Sequence, residues 1–173
     1  DYLTKPSLTK RKHVQGPIDD AFTRSFICVR GTGTPWSREH HDWAESTLQR
    51  FEQEYDKYLR AKLPVITDRQ FNEELFETHN VILFGDPGSN SVLAKVVDQL
   101  PLVWNKMSIE VRGEKYDADR HGVPLVYPNP FNHNRYVVVN SGHTFHKAEF
   151  EGSNAQLYPR LGDIAVTQFR RQQ

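Results

Sequence analysis

The chain is short of the residues that declare many functions. Its 173 residues hold one Cys and one Met, and 22 Lys+Arg are balanced by 22 Asp+Glu, so the formal charge is zero. The one thiol, Cys28, closes no internal disulfide, and no Cys pair offers a structural zinc site. A neutral chain lacks the cationic excess with which nucleic-acid proteins neutralise phosphates, and its charge argues equally against a polybasic membrane-surface binder. No apolar run approaches the roughly 20 residues that cross a bilayer as a helix. The Gly-x-Ser-x-Gly elbow, HExxH, the Walker A loop and GxGxxG are all missing.

What is present suits a folded core. Hydrophobic residues make up 37% and aromatics 12%, in a length that fits one domain of about 100–200 residues. Residues 1–16 are polar, basic and aperiodic, and read as a linker or an arm lying on another surface. Such a segment suits a processed start or a piece following a larger protein, and both stay open. Residues 17–173 read as a single α/β domain.

Phe26-Ile27-Cys28-Val29, closed by Gly31-Thr32-Gly33-Thr34-Pro35, predicts a buried strand. Ser37 can cap the helix that follows, in which Ala44, Leu48, Phe51, Tyr55 and Tyr58 recur at steps of four and three on one stripe. Leu63–Ile66 predicts a short strand, and Thr67 or Asp68 a cap for a second helix carrying Phe71, Leu75 and Phe76. Asn80-Val81-Ile82-Leu83-Phe84 is continuously apolar, as a central strand covered on both faces must be. A third helix carries Val92, Leu93, Val96, Val97 and Leu100 and stops at Pro101.

The second half changes character. Ile109–Val111 and Glu114–Tyr116 flank Arg112-Gly113 as a small hairpin. Val123–Tyr127 and Tyr136–Val139 are strands joined by a linker too short for a helical crossover, hence antiparallel. Ile164-Ala165-Val166 predicts a last edge strand. The expected fold is a three-layer α/β/α domain, Rossmann- or flavodoxin-like, with a mixed, mostly parallel sheet and an antiparallel hairpin in its second half.

Candidate sites gather where strands end. Gly85-Asp86-Pro87-Gly88-Ser89-Asn90 joins a buried strand to a helix, where free amides and the helix dipole favour an anion. Asp86 would stand at the carboxyl end of its strand, the usual ligand edge of open α/β sheets. With no following Lys, the same residues also read as a plain turn capped by Ser89 or Asn90. Arg30, Thr32, Asp86, Ser89 and Asn90 are the candidate ligand-binding set, for a small molecule or carbohydrate over an apolar floor.

Ser141 and His143, with Asp86, are the catalytic candidates, as the serine, histidine and carboxylate of a free-standing serine hydrolase. Whether Ser141 and His143 face Asp86 depends on the direction of strand 136–139, which the sequence leaves open. No metal site is expected. His40 and His41 diverge by about a hundred degrees on a helix, and a spacing of three puts His143 and His146 on opposite faces of a strand. Asp19-Asp20 form a carboxylate pair with acid–base potential, but a turn in which Asp19 caps and Phe22 packs is preferred. Trp36 and Phe131 stand in loops, where aromatics commonly cover the core edge.

Several stretches taken together carry a resemblance: HVQGPIDDAF at 13–22, SFICVRGTGTPW at 25–36, NVILFGDPGSNSVLAKVVDQLPLVW at 80–104, VPLVYPNPFNHNRYVVVNSGHTF at 123–145, and LYPRLGDIAV at 157–166. In order and spacing they resemble the carboxy-terminal region of large bacterial proteins of the prolyl-oligopeptidase-like α/β-hydrolase group, esterases or peptidases in which a hydrolase domain precedes this segment. The resemblance implies a non-catalytic accessory domain whose partner is the hydrolase domain of the parent polypeptide, reached through the basic arm 5–13. It also implies an extracytoplasmic location, periplasmic or secreted. It transfers no catalytic residue, because the nucleophile of that group lies upstream, and it implies no cofactor.

Overall fold

The computed structural model describes residues 12–145, 147–152 and 157–169. Strand β1 (Phe26–Arg30) leads through residues 31–37 into helix α1 (Arg38–Leu59). Ser37 caps α1, its hydroxyl accepting from the His40 amide at 3.3 Å, and Arg60 ends the helix in a left-handed conformation. Strand β2 (Val65–Thr67) follows, then α2 (Leu75–Thr78) and strand β3 (Asn80–Phe84). Helix α3 (Ser91–Val96) runs into a 3-10 turn at Val97–Gln99, and Leu100 turns extended ahead of Pro101.

The helix expected after Thr67 is broken into two pieces. The Gln70 side chain folds back on the Thr67 amide and hydroxyl and closes a 3-10 turn at Asp68–Gln70. Phe71 is then extended, and Asn72 Oδ1 accepts the Glu74 amide just ahead of α2. Local side-chain bonds of this kind compete with a continuous helix.

Strands β4 (Leu102–Trp104), β5 (Ser108–Val111) and β6 (Glu114–Asp117) form a small antiparallel sheet. Arg112 and Gly113 both take positive φ in the β5–β6 turn, the backbone that matches strand twist in a two-residue hairpin. Next come β7 (His121–Gly122), β8 (Leu125–Pro128), β9 (Tyr136–Val139), α4 (Lys147–Glu151) and β10 (Thr167–Gln168).

The main sheet has the order β2-β1-β3-β9-β8. The first four strands are parallel, and β8 pairs antiparallel to β9 with Pro128 opposite Tyr136. The molecule is therefore an α/β protein with a mixed, mostly parallel sheet. Every residue of β3 and β9 is buried, as the apolar runs 81–84 and 136–139 require, and Asn80 is bonded to Ala21 O and the Tyr136 amide. Alternate residues feed two core clusters. Val29, Val81, Leu83, Val137 and Val139 pack with Val92, Leu93 and Val96 of α3. Cys28, Ile82, Phe84 and Val138 pack with Leu48 and Phe51 of α1.

Two segments differ from expectation. Ile164 makes a single antiparallel bridge to Leu125, with Val126 donating to Asp163 O and Ala165 to Pro124 O, so 163–166 covers the outer edge of β8 without becoming a regular strand. The last strand is β10, on β7. At the amino side, Val14 is buried in the α1-side cluster together with Ile18. The packed body therefore reaches back to Val14, inside the segment expected to be an arm, and residues 1–11 of that arm lie outside the described residues.

Candidate functional site

In the order β2-β1-β3-β9-β8, chain direction from β1 diverges between β1 and β3, so the loops after these two strands flank the crevice where open α/β sheets hold ligands. Here the crevice is shut by backbone. A Cβ added to Gly31 would meet Ser89 O at 2.5 Å, and one on Gly33 would meet Gly88 O at 2.6 Å. The Gly33 amide donates to Ser89 O at 2.7 Å. The two glycines allow an approach that any larger residue would prevent, and the space they create is occupied by the opposite loop.

Asp86 is the anion of this loop pair. It is buried. Its Oδ1 accepts from the Gly88 amide at 3.0 Å and the Ser89 amide at 2.8 Å, while Oδ2 accepts from Trp36 at 2.7 Å and, at a longer 3.4 Å, from Ser37. One carboxylate thus folds its own turn and ties it to the loop that starts α1. The amides that a strand-to-helix loop would present to a bound phosphate are directed at Asp86 instead.

The neighbouring polar groups are engaged in the same way. Asn90 caps α3, its Oδ1 accepting from Val92 and Leu93 and its Nδ2 donating to Val29 O and Phe84 O. Ser89 Oγ accepts the Asp86 amide and donates to Asp86 O. Thr32 donates through its amide and hydroxyl to Asp68 Oδ1, and Asp68 Oδ2 accepts the Ser91 amide. Burial raises the Asp68 pKa, but the bonds from Ser91 and Thr32 outweigh it and hold the group below its ordinary value. Arg30 turns onto α1, with Nε 3.4 Å from Glu45 and Nη2 3.6 Å from Glu52, and lines a groove of about 450 Å³ along edge strand β2.

Parallel pairing of β9 with β3 fixes the direction that the sequence left open, and brings 140–144 to the same sheet end as Asp86. Asn140 seals that junction, accepting the Gly85 amide and donating to Gly85 O, each at 2.8 Å. Ser141 Oγ donates to Gly142 O at 2.8 Å. His143 Nε2 lies 3.0 Å from Glu54 of α1, with its ring edge-on to Phe51. Burial lowers the His143 pKa, against the pull of Glu54. The three catalytic candidates therefore share a sheet end while each engages other partners. Ser141 bonds to its neighbour's carbonyl, His143 to Glu54, and the Asp86 carboxylate to amides.

The bond partner of Asp19, and Glu54 altogether, were missed from sequence. Asp19 does not cap. It is buried, accepts the Thr144 amide at 2.7 Å and the Thr144 hydroxyl as well, and so fastens the 3-10 turn Ile18–Phe22 to the loop after β9. Phe22 does pack, edge-on to Phe26 and Phe51. Glu54 had one signal: it stands three residues after Phe51 and so borders the apolar stripe of α1.

His40 is the odd group. In the first turn of α1 it is 1% exposed and surrounded by the rings of Trp43, Trp104 and Phe169. Neither ring nitrogen has a partner. Burial lowers its pKa to about 4, although the Asp86 charge works in the opposite direction. His41, next in the chain, is only half-buried. His146 lies outside the described residues. Among the described residues no three His, Cys, Asp or Glu side chains gather as a metal site, and no helix is long and apolar enough to cross a membrane. Trp36 packs its ring on Gly88, and Phe131 stacks on Phe76 at 4.7 Å while remaining half exposed.

Comparison with protein-family models, with curated proteins and with solved structures finds no match.

Proposed function

We propose that this chain is a non-catalytic accessory domain of a larger, extracytoplasmic hydrolase of the prolyl-oligopeptidase-like group, packing on the catalytic domain and shaping or covering its substrate site. The observation that carries the reading is the engagement of Asp86: its carboxylate is taken up by the amides of Trp36, Gly88 and Ser89. At the sheet end where an α/β enzyme would expose reactive groups, polar atoms hold one loop to the next. The parent hydrolase and the location rest on the sequence resemblance. The frame belongs to the same reading: a three-layer α/β/α arrangement of Rossmann or flavodoxin type, supported by α1 and α3 joining different core clusters.

Two observations test it. The gene encoding this chain is expected to continue upstream of Asp1 into a hydrolase domain. The 173-residue chain, assayed on short-chain esters and peptides, is expected to give no enzyme-derived turnover. A rate of about 1 s⁻¹ or more, ordinary for an enzyme, abolished by S141A or H143A, would overturn the proposal.

A further inference from the structure

A cavity of about 180 Å³ lies beside edge strand β8, away from the crevice between β1 and β3. Its walls include Val14, Leu125 and Tyr136, all buried, together with Ile164 from the segment that covers β8. An apolar cavity of about 150 Å³ holds one benzene molecule, so this space fits a single ring or a branched alkyl group. The Tyr136 hydroxyl is already engaged, donating to Asp20 at 2.6 Å and accepting from the Gly16 amide at 2.8 Å, so Tyr136 presents only its ring to an occupant.

Two charged residues line the space. Asp163 is engaged within the chain, with its carboxylate packed on Gly16. Arg112 is exposed, and no ion pair is formed by it among the described residues. It stands in the β5–β6 turn, with a left-handed backbone, and contributes to the cavity lining. An apolar compartment lined by an arginine with no ion pair among the described residues suits a molecule with a hydrophobic body and an anionic end. Apolar burial retains the body, and the planar fork of Arg recognises a carboxylate.

We propose that this cavity binds a small monocarboxylate with a compact aryl or branched-alkyl body, the body enclosed beside β8 and the carboxylate on Arg112. The site is independent of the accessory-domain reading and uses none of the loops discussed there.

Methyl-resolved NMR and calorimetry on the 173-residue chain test it, with phenylacetate as the probe. Phenylacetate is expected to shift the methyls of Val14, Leu125 and Ile164. Acetate, which lacks the body, is expected to leave them in place, and benzylamine, with the charge reversed, to bind at least about tenfold more weakly. R112Q is expected to weaken phenylacetate by about tenfold. R112G, which suits the left-handed backbone, should do the same with the fold intact. Unmoved methyls at about 10 mM phenylacetate, well above an ordinary weak Kd, would overturn the proposal. Equal binding of benzylamine, or phenylacetate binding unchanged in both Arg112 variants, would overturn it too.

Discussion

The carboxyl end of the main sheet and the cavity beside β8 are opposites. The first is rich in polar side chains and closed, with Asp86, Asn90, Asn140 and Asp68 each bonded to the backbone of a neighbouring segment. The second is largely apolar, and Arg112 in its lining forms no ion pair among the described residues. Polar residues at a strand end therefore do not mark a binding site by themselves. What decides is whether their hydrogen-bonding capacity is already consumed, because a buried carboxylate that accepts several amides has little left for a ligand.

The sharpest way to break this contrast is D86A. It leaves the amides of Trp36, Gly88 and the buried Ser89 without their acceptor, and the loss of stability should reach about 3–5 kcal/mol in urea unfolding. D86N keeps one carbonyl oxygen and should recover part of that loss. A binding residue, by contrast, could be removed at almost no cost in stability.

His40 sharpens the contrast through pH. Its pKa falls from 6.5 unfolded to about 4 folded, so between these values the unfolded chain binds the extra proton. Its contribution is complete above about pH 6.5 and is lost as pH falls toward 4, at a total of about 3 kcal/mol. H40L should remove this component, giving an unfolding free energy flatter than wild type across that window.

Smaller effects follow in order. D19A removes the acceptor of the Thr144 amide and hydroxyl and should cost about 2 kcal/mol, read as a lowered urea midpoint at unchanged slope. R30A breaks two partly exposed ion pairs to Glu45 and Glu52 and should cost no more than about 1 kcal/mol, with a shift that shrinks in high salt.

The central strands, helix α1 and the mixed, mostly parallel sheet were largely legible in the sequence. The unbroken run at 80–84 could only be a strand buried on both faces, the four-three spacing from Ala44 to Tyr58 only a helix laid on a core, and the short linker 128–135 only an antiparallel return. The second helix was not legible, because its interruption depends on where the Gln70 and Asn72 side chains turn. The 163–166 segment was not legible either, since its strand-like composition serves one bridge to Leu125. At the candidate site the sequence places polar residues at the strand ends but does not show which backbone groups they bond. Periodicity and spacing place Asp86 at a strand end, but only the three-dimensional arrival of Trp36 and Ser37, about fifty residues upstream, fills its second oxygen. The Asp19–Thr144 and Glu54–His143 pairings, 125 and 89 residues apart, cannot be read from local spacing, which shows only that Glu54 borders the α1 stripe.

Amide hydrogen exchange at Trp36, Gly88 and Ser89 in the unmodified chain tests most directly whether this sheet end is sealed by its own carboxylate. Protection comparable with the amides of β3, lost in D86A under conditions where β3 stays protected, is the predicted result. Exchange of those three amides near the rate of an unfolded peptide would contradict the account, because it would leave them free to receive an outside anion.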